Sequence, residues 1–233
     1  DIEGASAAVY VISRISGEGK DRRLEKGDYY LSEREEEDIL FLNSRQVPII
    51  LLINAGGPVE LTDILEKTQW IKGIFNISQL GQEGGRAVAR ILLGEAVPSG
   101  KLTTTWAKKY ADMPFAENFS YLNGNLELEE YKEGIYIGYR YFDSFGVKPL
   151  FPFGFGLSYT DFEIQFCGIE IDQDKIEVNV SVENTGSRFS GSEVVQIYAV
   201  LPHGRLEKEH HRLVGYAKTN VLKPGEKQQV RIL

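Results

Sequence analysis

Residues 48–53 read Pro-Ile-Ile-Leu-Leu-Ile, and residues 54–58 that follow read Asn-Ala-Gly-Gly-Pro. The first stretch predicts a buried strand, and the second predicts a tight turn from that strand into a helix. The run Ala-Ala-Val-Tyr-Val-Ile at residues 7–12 predicts another strand, buried on both faces, and residues 70–77 predict a third. Continuous apolar runs of this kind are typical of parallel sheets that are covered by helices.

Helical patterns alternate with these strands. Ser32 and Glu35 have the spacing of a capping box, which predicts a helix that runs to about Leu42. Residues 59–67 carry a short helical pattern, and residues 85–93 carry another that Gly94 would stop. The alternation predicts βαβ units, and therefore an α/β fold with a mostly parallel sheet and helices on both faces.

The pattern changes in the second half of the chain. Residues 111–134 read as a long irregular segment, and residues 135–159 are dense in aromatic residues and glycine. Beyond Thr160 the sequence is all-β, and the clearest alternation runs from Ile176 to Val182. Further strands are predicted at 194–200 and 213–221.

These patterns predict two domains. Residues 1–159 would form the α/β domain, and residues 160–233 would form a partial immunoglobulin- or fibronectin-like β-sandwich. We expect about five strands in the second domain, fewer than the roughly seven of a complete immunoglobulin-like sandwich. The chain opens on Asp1 and its one methionine is Met113, which indicates a piece of a longer polypeptide.

Composition excludes several classes of function. The 233 residues carry 26 Lys plus Arg against 34 Asp plus Glu, a net charge of −8. This balance argues against a general nucleic-acid binder and against an anionic membrane surface as partner. A single cysteine, Cys167, excludes an internal disulfide and a Cys-rich zinc site, and it fits a cytoplasmic protein. With three histidines in all, we expect no metal site and no cofactor.

Three loops are expected at one edge of the parallel sheet, beyond the carboxyl ends of the strands, where ligands bind in such folds. They are residues 13–23, 54–58 and 78–86, and all three contain glycine. None of them matches G-x-G-x-x-G or G-x-x-x-x-G-K-[ST], so the sequence does not favour a nucleotide-binding loop.

Two carboxylates in these loops are candidates for proton transfer. Glu83 lies where the third helix would begin. There the helix dipole favours its ionised form, which suits a residue that stabilises the helix start better than a general acid that must donate a proton. Glu18 lies between two glycines and has no capping role. It is either a solvated acid paired with Lys20, Arg22 or Arg23, or a catalytic acid on a loop held by a rigid scaffold.

Other polar and aromatic residues favour structural roles. His210 and His211 read as an exposed polar pair. The aromatic residues between 136 and 155 would pack where the two domains meet, although such side chains also bind sugars.

Taken in order, several short segments resemble glycoside hydrolase family 3, the β-glucosidase family. The segments of the first domain are Ser16-Gly-Glu-Gly-Lys-Asp-Arg22, Gly81-Gln-Glu-Gly-Gly85, Pro98-Ser-Gly-Lys-Leu102, Tyr136-Ile-Gly-Tyr-Arg-Tyr141 and Phe151-Pro-Phe-Gly-Phe-Gly-Leu-Ser-Tyr159. The segments that resemble a fibronectin type III-like domain are Asn184-Thr-Gly186, Gly191-Ser-Glu-Val-Val-Gln-Ile-Tyr198 and Leu222-Lys-Pro-Gly-Glu226.

The resemblance implies a specific role for Glu18, which falls where many β-glucosidases of this family carry their general acid/base. In that family a (β/α)8 barrel supplies the nucleophilic aspartate, and this chain resembles only the domains that follow the barrel. The resemblance therefore implies part of a retaining β-glucosidase that acts on a β-glucoside or short oligosaccharide, is incomplete without the barrel and uses no cofactor.

Three other functions remain open from the sequence. One is a β-xylosidase of the same architecture, and another is a non-catalytic carbohydrate-binding or interaction module. The third is a flavodoxin-like nucleotide binder.

Overall fold

The computed structural model describes residues 2–15, 21–125, 127–202 and 204–233. Contacts within the chain divide it into two compact units. The first unit comprises Asp1–Val88 with Trp106–Lys132, and the second comprises Ala89–Thr105 with Glu133–Leu233. The division into domains at residues 159 and 160 stays a prediction.

The first unit contains a parallel sheet of three strands in the order β1-β2-β3. These strands are β1 (Ala8–Ser13), β2 (Ile49–Asn54) and β3 (Ile71–Asn76). Ala8 pairs with Ile49 at the start of the register, and all three strands run in the same direction. Their carboxyl ends therefore meet at one edge, as the sequence predicted.

The core of this unit is built around β2. Ile49, Leu51 and Ile53 of β2 are completely buried, and Ile39 and Leu42 of the helix that precedes β2 are buried as well. A strand that has a neighbouring strand on each side and a helix on its face exposes little surface to water, which explains why its sequence is an unbroken apolar run.

Strand β1 differs from the prediction of burial on both faces. Ile12 is completely buried, but Val9 and Val11 are 50% and 49% exposed. The physical reason is the position of β1 in the sheet, since it lies at an edge and pairs with β2 alone among the described strands.

The described ranges contain four α-helices. Helix α1 (Glu33–Ser44) begins at the predicted capping box, in which Ser32 Oγ accepts from the Glu35 N–H and Glu35 Oε2 accepts from the Ser32 N–H. Helix α2 (Thr62–Lys67) begins three residues later than predicted, and α3 (Gly84–Leu92) lies close to its predicted bounds. Helix α4 (Tyr139–Phe145) was not predicted, because its aromatic sequence carries no helical signal.

Short 3₁₀ helices interrupt the segment that was predicted to be irregular. They are Tyr110–Asp112, Ala116–Asn118 and Ser120–Asn123. No helix within the described ranges has both the length and the apolar character needed to cross a membrane.

The second unit carries antiparallel sheets, which confirms the predicted sandwich-like part of the fold. Strands β4 (Phe162–Asp172), β5 (Lys175–Asn184) and β8 (Lys227–Ile232) form one sheet in the order β4-β5-β8. Strands β6 (Val194–Ala199) and β7 (Arg212–Lys218) form a second sheet. The buried apolar residues of this part are Val178, Val180, Val182, Val195, Leu222, Val230 and Ile232.

Asn184, at the end of β5, organises the turns of this unit. Its side chain is completely buried, and all four of its hydrogen-bonding positions are used. The amide oxygen accepts from Thr160 Oγ1 at 2.6 Å and from the Gly186 N–H at 3.1 Å. The amide nitrogen donates to the carbonyl oxygens of Phe189 and Leu222 at 2.9 and 2.8 Å. One side chain therefore fixes three separate loop segments.

Replacing Asn184 with alanine should destabilise the chain strongly, since the buried groups that it contacts lose their partner. We expect Asn184→Ala to lower the free energy of unfolding by about 3 kcal/mol. The matched control is Asn179→Ala on the same strand, where the amide makes one long bond of 3.4 Å to Glu170, and that change should cost under about 1 kcal/mol. Urea unfolding followed by circular dichroism measures both, and equal losses would contradict the role of Asn184.

Candidate functional site

The candidate acid Glu18 lies outside the described residues, and the described chain on either side of it forms the surroundings of the candidate site. Strand β1 ends at Ser13, and the described chain resumes at Asp21. The described ends of residues 13–23 contact residues 54–58, as the sequence predicted for these two of the three loops. The Arg14 N–H donates to the Asn54 carbonyl oxygen at 3.0 Å, and Asn54 Nδ2 donates to Ser13 Oγ at 3.2 Å.

Arg14 is a buried cation immediately after β1. Its two terminal nitrogens donate to both carboxylate oxygens of Glu35, at 2.8 and 2.7 Å. Arg14 Nε donates to the carbonyl oxygen of Asp28 at 2.6 Å, and the Ser13 and Tyr30 carbonyls accept the remaining bonds. A bidentate pair with this many additional acceptors compensates the cost of burying a guanidinium.

Arg22 makes a similar set of bonds from the other side of the undescribed residues. Arg22 Nε donates to Asp28 Oδ1 at 2.8 Å, and one terminal nitrogen donates to the Pro58 carbonyl oxygen at 2.6 Å. The other terminal nitrogen donates to the carbonyl oxygen of Asp28. The guanidinium also lies over the ring of the buried Tyr29, 5.7 Å from its centroid.

The turn at residues 25–30 supplies the common acceptor. Gly27 adopts a φ of 87°, a conformation that favours glycine, and its N–H donates to the Tyr30 carbonyl oxygen. This turn presents the Asp28 carbonyl to Arg14 and Arg22 together, and the Asp28 carboxylate also accepts from the Arg23 N–H at 2.8 Å.

The exit of the loop contacts the long polar segment of the same unit. Ser120 Oγ donates to Asp21 Oδ2 at 2.5 Å. Ser120 adopts a φ of 53°, which is uncommon for a residue other than glycine. The long segment therefore packs on the end of the loop that carries the candidate acid in the sequence.

The electrostatics of the two anchoring carboxylates follow from their partners. Burial alone would raise the pKa of Glu35, but the hydrogen bonds and charge of Arg14, together with the Ser32 N–H, outweigh it and hold the pKa below its usual value. Burial would likewise raise the pKa of Asp28, but the hydrogen bond from the Arg23 N–H and the hydrogen bond and charge of Arg22 outweigh it and lower the pKa. Both groups are therefore carboxylates near neutral pH.

Glu60 is a further carboxylate in this region that the sequence reading missed. It lies between the 54–58 turn and α2, and burial raises its pKa, with neighbouring Asp63 and Asp112 acting in the same direction. Its carboxylate accepts from the Tyr110 N–H at 2.8 Å, and its own N–H donates to the Tyr29 carbonyl oxygen. These bonds give it a structural role in joining the turn to the first 3₁₀ helix.

Glu83 and the histidine pair have different surroundings. The Glu83 side chain is exposed just before α3 and lies 3.8 Å from Arg86, which suits the helix-start role. The prediction of an exposed His210–His211 pair is wrong for His211. Its ring stacks on Tyr139, with centroids 5.7 Å apart, and its Nε2 lies 3.1 Å from Asp143 Oδ2.

A second charged cluster, in the second unit, is centred on Glu209. The carboxylate is buried and bonds Arg212 Nε at 2.5 Å, and this bond lowers its pKa to about 2. Arg140 lies 3.8 Å away. Because Glu209 stays ionised and fully paired, it serves the structure and not proton transfer. Across the described parts of the chain, no three His, Cys, Asp or Glu side chains are grouped so that they could hold a metal ion.

Comparison with known families gives two matches. Residues 1–159 match the model of the glycosyl hydrolase family 3 C-terminal domain, and residues 193–233 match that of the fibronectin type III-like domain. Beta-glucosidase A of Butyrivibrio fibrisolvens is 37% identical over 98% of this chain, and a beta-glucosidase of Ruminococcus albus is 37% identical over 99%. The chain spans 32% and 24% of the length of these two relatives.

Solved structures give the same result. The structure of beta-glucosidase 3B from Thermotoga neapolitana in complex with alpha-D-glucose superposes on 98% of this chain with a TM-score of 0.91 and 41% identity. A beta-glucosidase from Paenibacillus barengoltzii superposes on 99% with a TM-score of 0.92 and 37% identity. This chain covers 32% and 25% of those two chains.

The Arg14–Glu35 pair should make stability depend on pH in a defined window. A carboxyl whose pKa is lowered by folding stabilises the folded state above its ordinary pKa of about 4.5, and the stabilisation is lost as the pH falls further. Glu35→Gln should therefore cost about 3 kcal/mol between pH 7 and pH 5, and the difference from the parent should shrink below that range.

Urea unfolding at several pH values measures this difference, with Glu37→Gln on the exposed side of α1 as the control. A cost of Glu35→Gln that stayed constant down to pH 3 would contradict the pairing.

Proposed function

The chain belongs to glycosyl hydrolase family 3, and we propose that it forms part of a retaining β-glucosidase in which Glu18 is the general acid/base. In this proposal the other half of the active site, with its nucleophilic aspartate, lies on a (β/α)8 barrel domain. The substrate is a β-glucoside or a short β-linked oligosaccharide.

One observation carries the proposal. Nearly the whole chain superposes on a beta-glucosidase whose structure holds glucose, with a TM-score of 0.91 and 41% identity. The reported relatives from Butyrivibrio and Ruminococcus also bear the name beta-glucosidase. Because function resides in particular residues and not in the fold alone, the assignment to Glu18 needs support of its own.

The surroundings of residues 13–23 supply that support. This segment follows β1 at the carboxyl edge of a parallel sheet, which is the edge where such folds bind ligands. Residues on both sides of Glu18 are held by several hydrogen bonds each. Catalytic groups are commonly carried by loops that a rigid scaffold positions in this way.

Charge compensation near the segment also suits a general acid. A free cation beside Glu18 would lower its pKa and remove the proton that it must donate. The described arginines of this segment each have a carboxylate partner within 4 Å. The pairs are Arg14–Glu35 at 2.7 Å, Arg22–Asp28 at 2.8 Å and Arg23–Glu25 at 3.6 Å.

The reaction proceeds in two steps. The barrel aspartate attacks the anomeric carbon, the glycosidic C–O bond breaks, and Glu18 gives its proton to the departing oxygen. A water molecule then attacks the anomeric carbon and displaces the aspartate while Glu18 takes a proton from that water. Such a mechanism needs the two carboxyl groups about 5–5.5 Å apart across the scissile bond.

The proposal is tested in the chain assembled with the barrel domain of a family 3 β-glucosidase. Glu18→Gln should lower kcat for 4-nitrophenyl β-glucoside by at least about 10²-fold, because general acid/base catalysis contributes that much. The control Glu83→Gln should leave kcat within about threefold, since that side chain is exposed and lies at the start of α3. The 233-residue chain alone should not turn over the substrate.

Two outcomes would contradict the proposal. Full activity of Glu18→Gln would remove the assigned role. Binding of glucosides by the chain with no turnover in any assembly would indicate a carbohydrate-binding module instead.

A further inference from the structure

We infer that Arg14 and Arg22 are positioning residues for the acid/base, because they tie both ends of residues 15–21 to a single peptide oxygen, that of Asp28. The inference rests on the proposed role of Glu18.

The shared acceptor is the central observation. Arg14 Nε donates to the Asp28 carbonyl oxygen at 2.6 Å, and a terminal nitrogen of Arg22 donates to the same oxygen. A carbonyl oxygen has two lone pairs, so the two guanidinium groups use its full capacity. Both bonds are charge-assisted and therefore stronger than bonds between neutral groups.

Each arginine is also held by a second element. Arg14 forms the bidentate pair with Glu35 in the first turn of α1. Arg22 donates to the Pro58 carbonyl oxygen, in the turn that follows β2, and to the Asp28 carboxylate. The entry and the exit of the segment are thus fixed relative to a helix, a strand end and the 25–30 turn.

Fixing both ends has a direct consequence for a short segment. Seven residues separate Arg14 from Arg22, and with both ends fixed the reach of so short a segment is limited, since each residue spans at most about 3.6 Å. A displacement of about 1 Å in a catalytic group can cost on the order of 10²-fold in rate. The two arginines therefore act on the reaction through the position of Glu18, without touching the substrate.

Lysine cannot replace arginine in this arrangement. Arg22 uses Nε and both terminal nitrogens for acceptors that lie in different directions, whereas lysine has one ammonium group on a flexible stem. Arg22→Lys keeps the positive charge and loses the planar guanidinium with its three donating nitrogens. This variant therefore separates the effect of positioning on the rate from the effect of charge.

The experiment compares two substrates in the chain assembled with a family 3 barrel domain. Cleavage of methyl β-glucoside requires protonation of the leaving oxygen. In 2,4-dinitrophenyl β-glucoside the leaving group is a stable phenolate, which departs without being protonated. The parameter is kcat/KM, which reports on the steps up to bond cleavage. Arg22→Met and Arg22→Lys should lower kcat/KM for the methyl glucoside by about 10–100-fold and for the dinitrophenyl glucoside by under about threefold.

The matched control is Arg23→Met. Arg23 is adjacent and exposed, and its side chain pairs only loosely with Glu25 at 3.6 Å. Both substrates should react with this variant as with the parent. Equal losses on both substrates for Arg22→Met, or no loss on either, would overturn the inference, because a purely structural role does not distinguish leaving groups.

Glu18→Gln separates the two proposals. If Glu18→Gln does not lose more kcat/KM on the methyl glucoside than on the dinitrophenyl glucoside, the proposed function fails. If Glu18→Gln shows this larger loss on the methyl glucoside and the Arg22 variants do not, the positioning inference alone fails.

A second measurement uses the 233-residue chain by itself and does not require catalysis. Amide hydrogen exchange at the N–H groups of Arg23, Gly27 and Asp28, which are hydrogen-bonded around the shared acceptor, should be at least about tenfold faster in Arg22→Met than in the parent, and unchanged in Arg23→Met. Arg14→Lys should show the same increase, with its thermal unfolding checked because Arg14 is buried. Exchange that is equal in Arg22→Met and the parent would overturn the inference.

Discussion

The first unit depends on the buried ion pair between Arg14 and Glu35. A guanidinium excluded from water needs a counter-charge and acceptors for its five donors. Glu35 supplies the counter-charge and at the same time completes the capping box of α1 by accepting from the Ser32 N–H. The end of β1 and the start of α1 are therefore fixed by one contact, and the turn at residues 25–30 is aligned by the remaining donors of Arg14.

Local patterns in the sequence predicted the elements that depend on near neighbours. The capping box at Ser32 and Glu35 and the apolar run of β2 are readable because their partners lie within a few residues or because every face is buried. Strand β4 was not predicted as an element. Its alternation changes phase at the bulge between Phe166 and Gly168, which hides the period of two from a sequence reading.

The candidate site likewise contains some contacts that the sequence predicted and others that it did not. Glycine-rich turns after strands predicted that residues 13–23 and 54–58 meet at one edge of the sheet, since the carboxyl ends of parallel strands always share an edge. The anchoring of Arg14 and Arg22 was not predictable, because their shared acceptor is the peptide oxygen of Asp28 and a peptide oxygen leaves no signature in the sequence. The partner of His211 was missed for a related reason, as Asp143 lies 68 residues away along the chain.

A residue that both donates and accepts a proton changes its charge twice in each catalytic cycle. A nearby uncompensated cation would hold it by attraction but would also favour its ionised form, so position and proton affinity would conflict. The two described arginines on either side of residues 16–20 avoid that conflict. Arg14 and Arg22 hold the chain through directed hydrogen bonds, while Glu35 and Asp28 neutralise their charges. In the proposed role of Glu18, the arginines then contribute to its position without placing an unpaired positive charge of their own beside it.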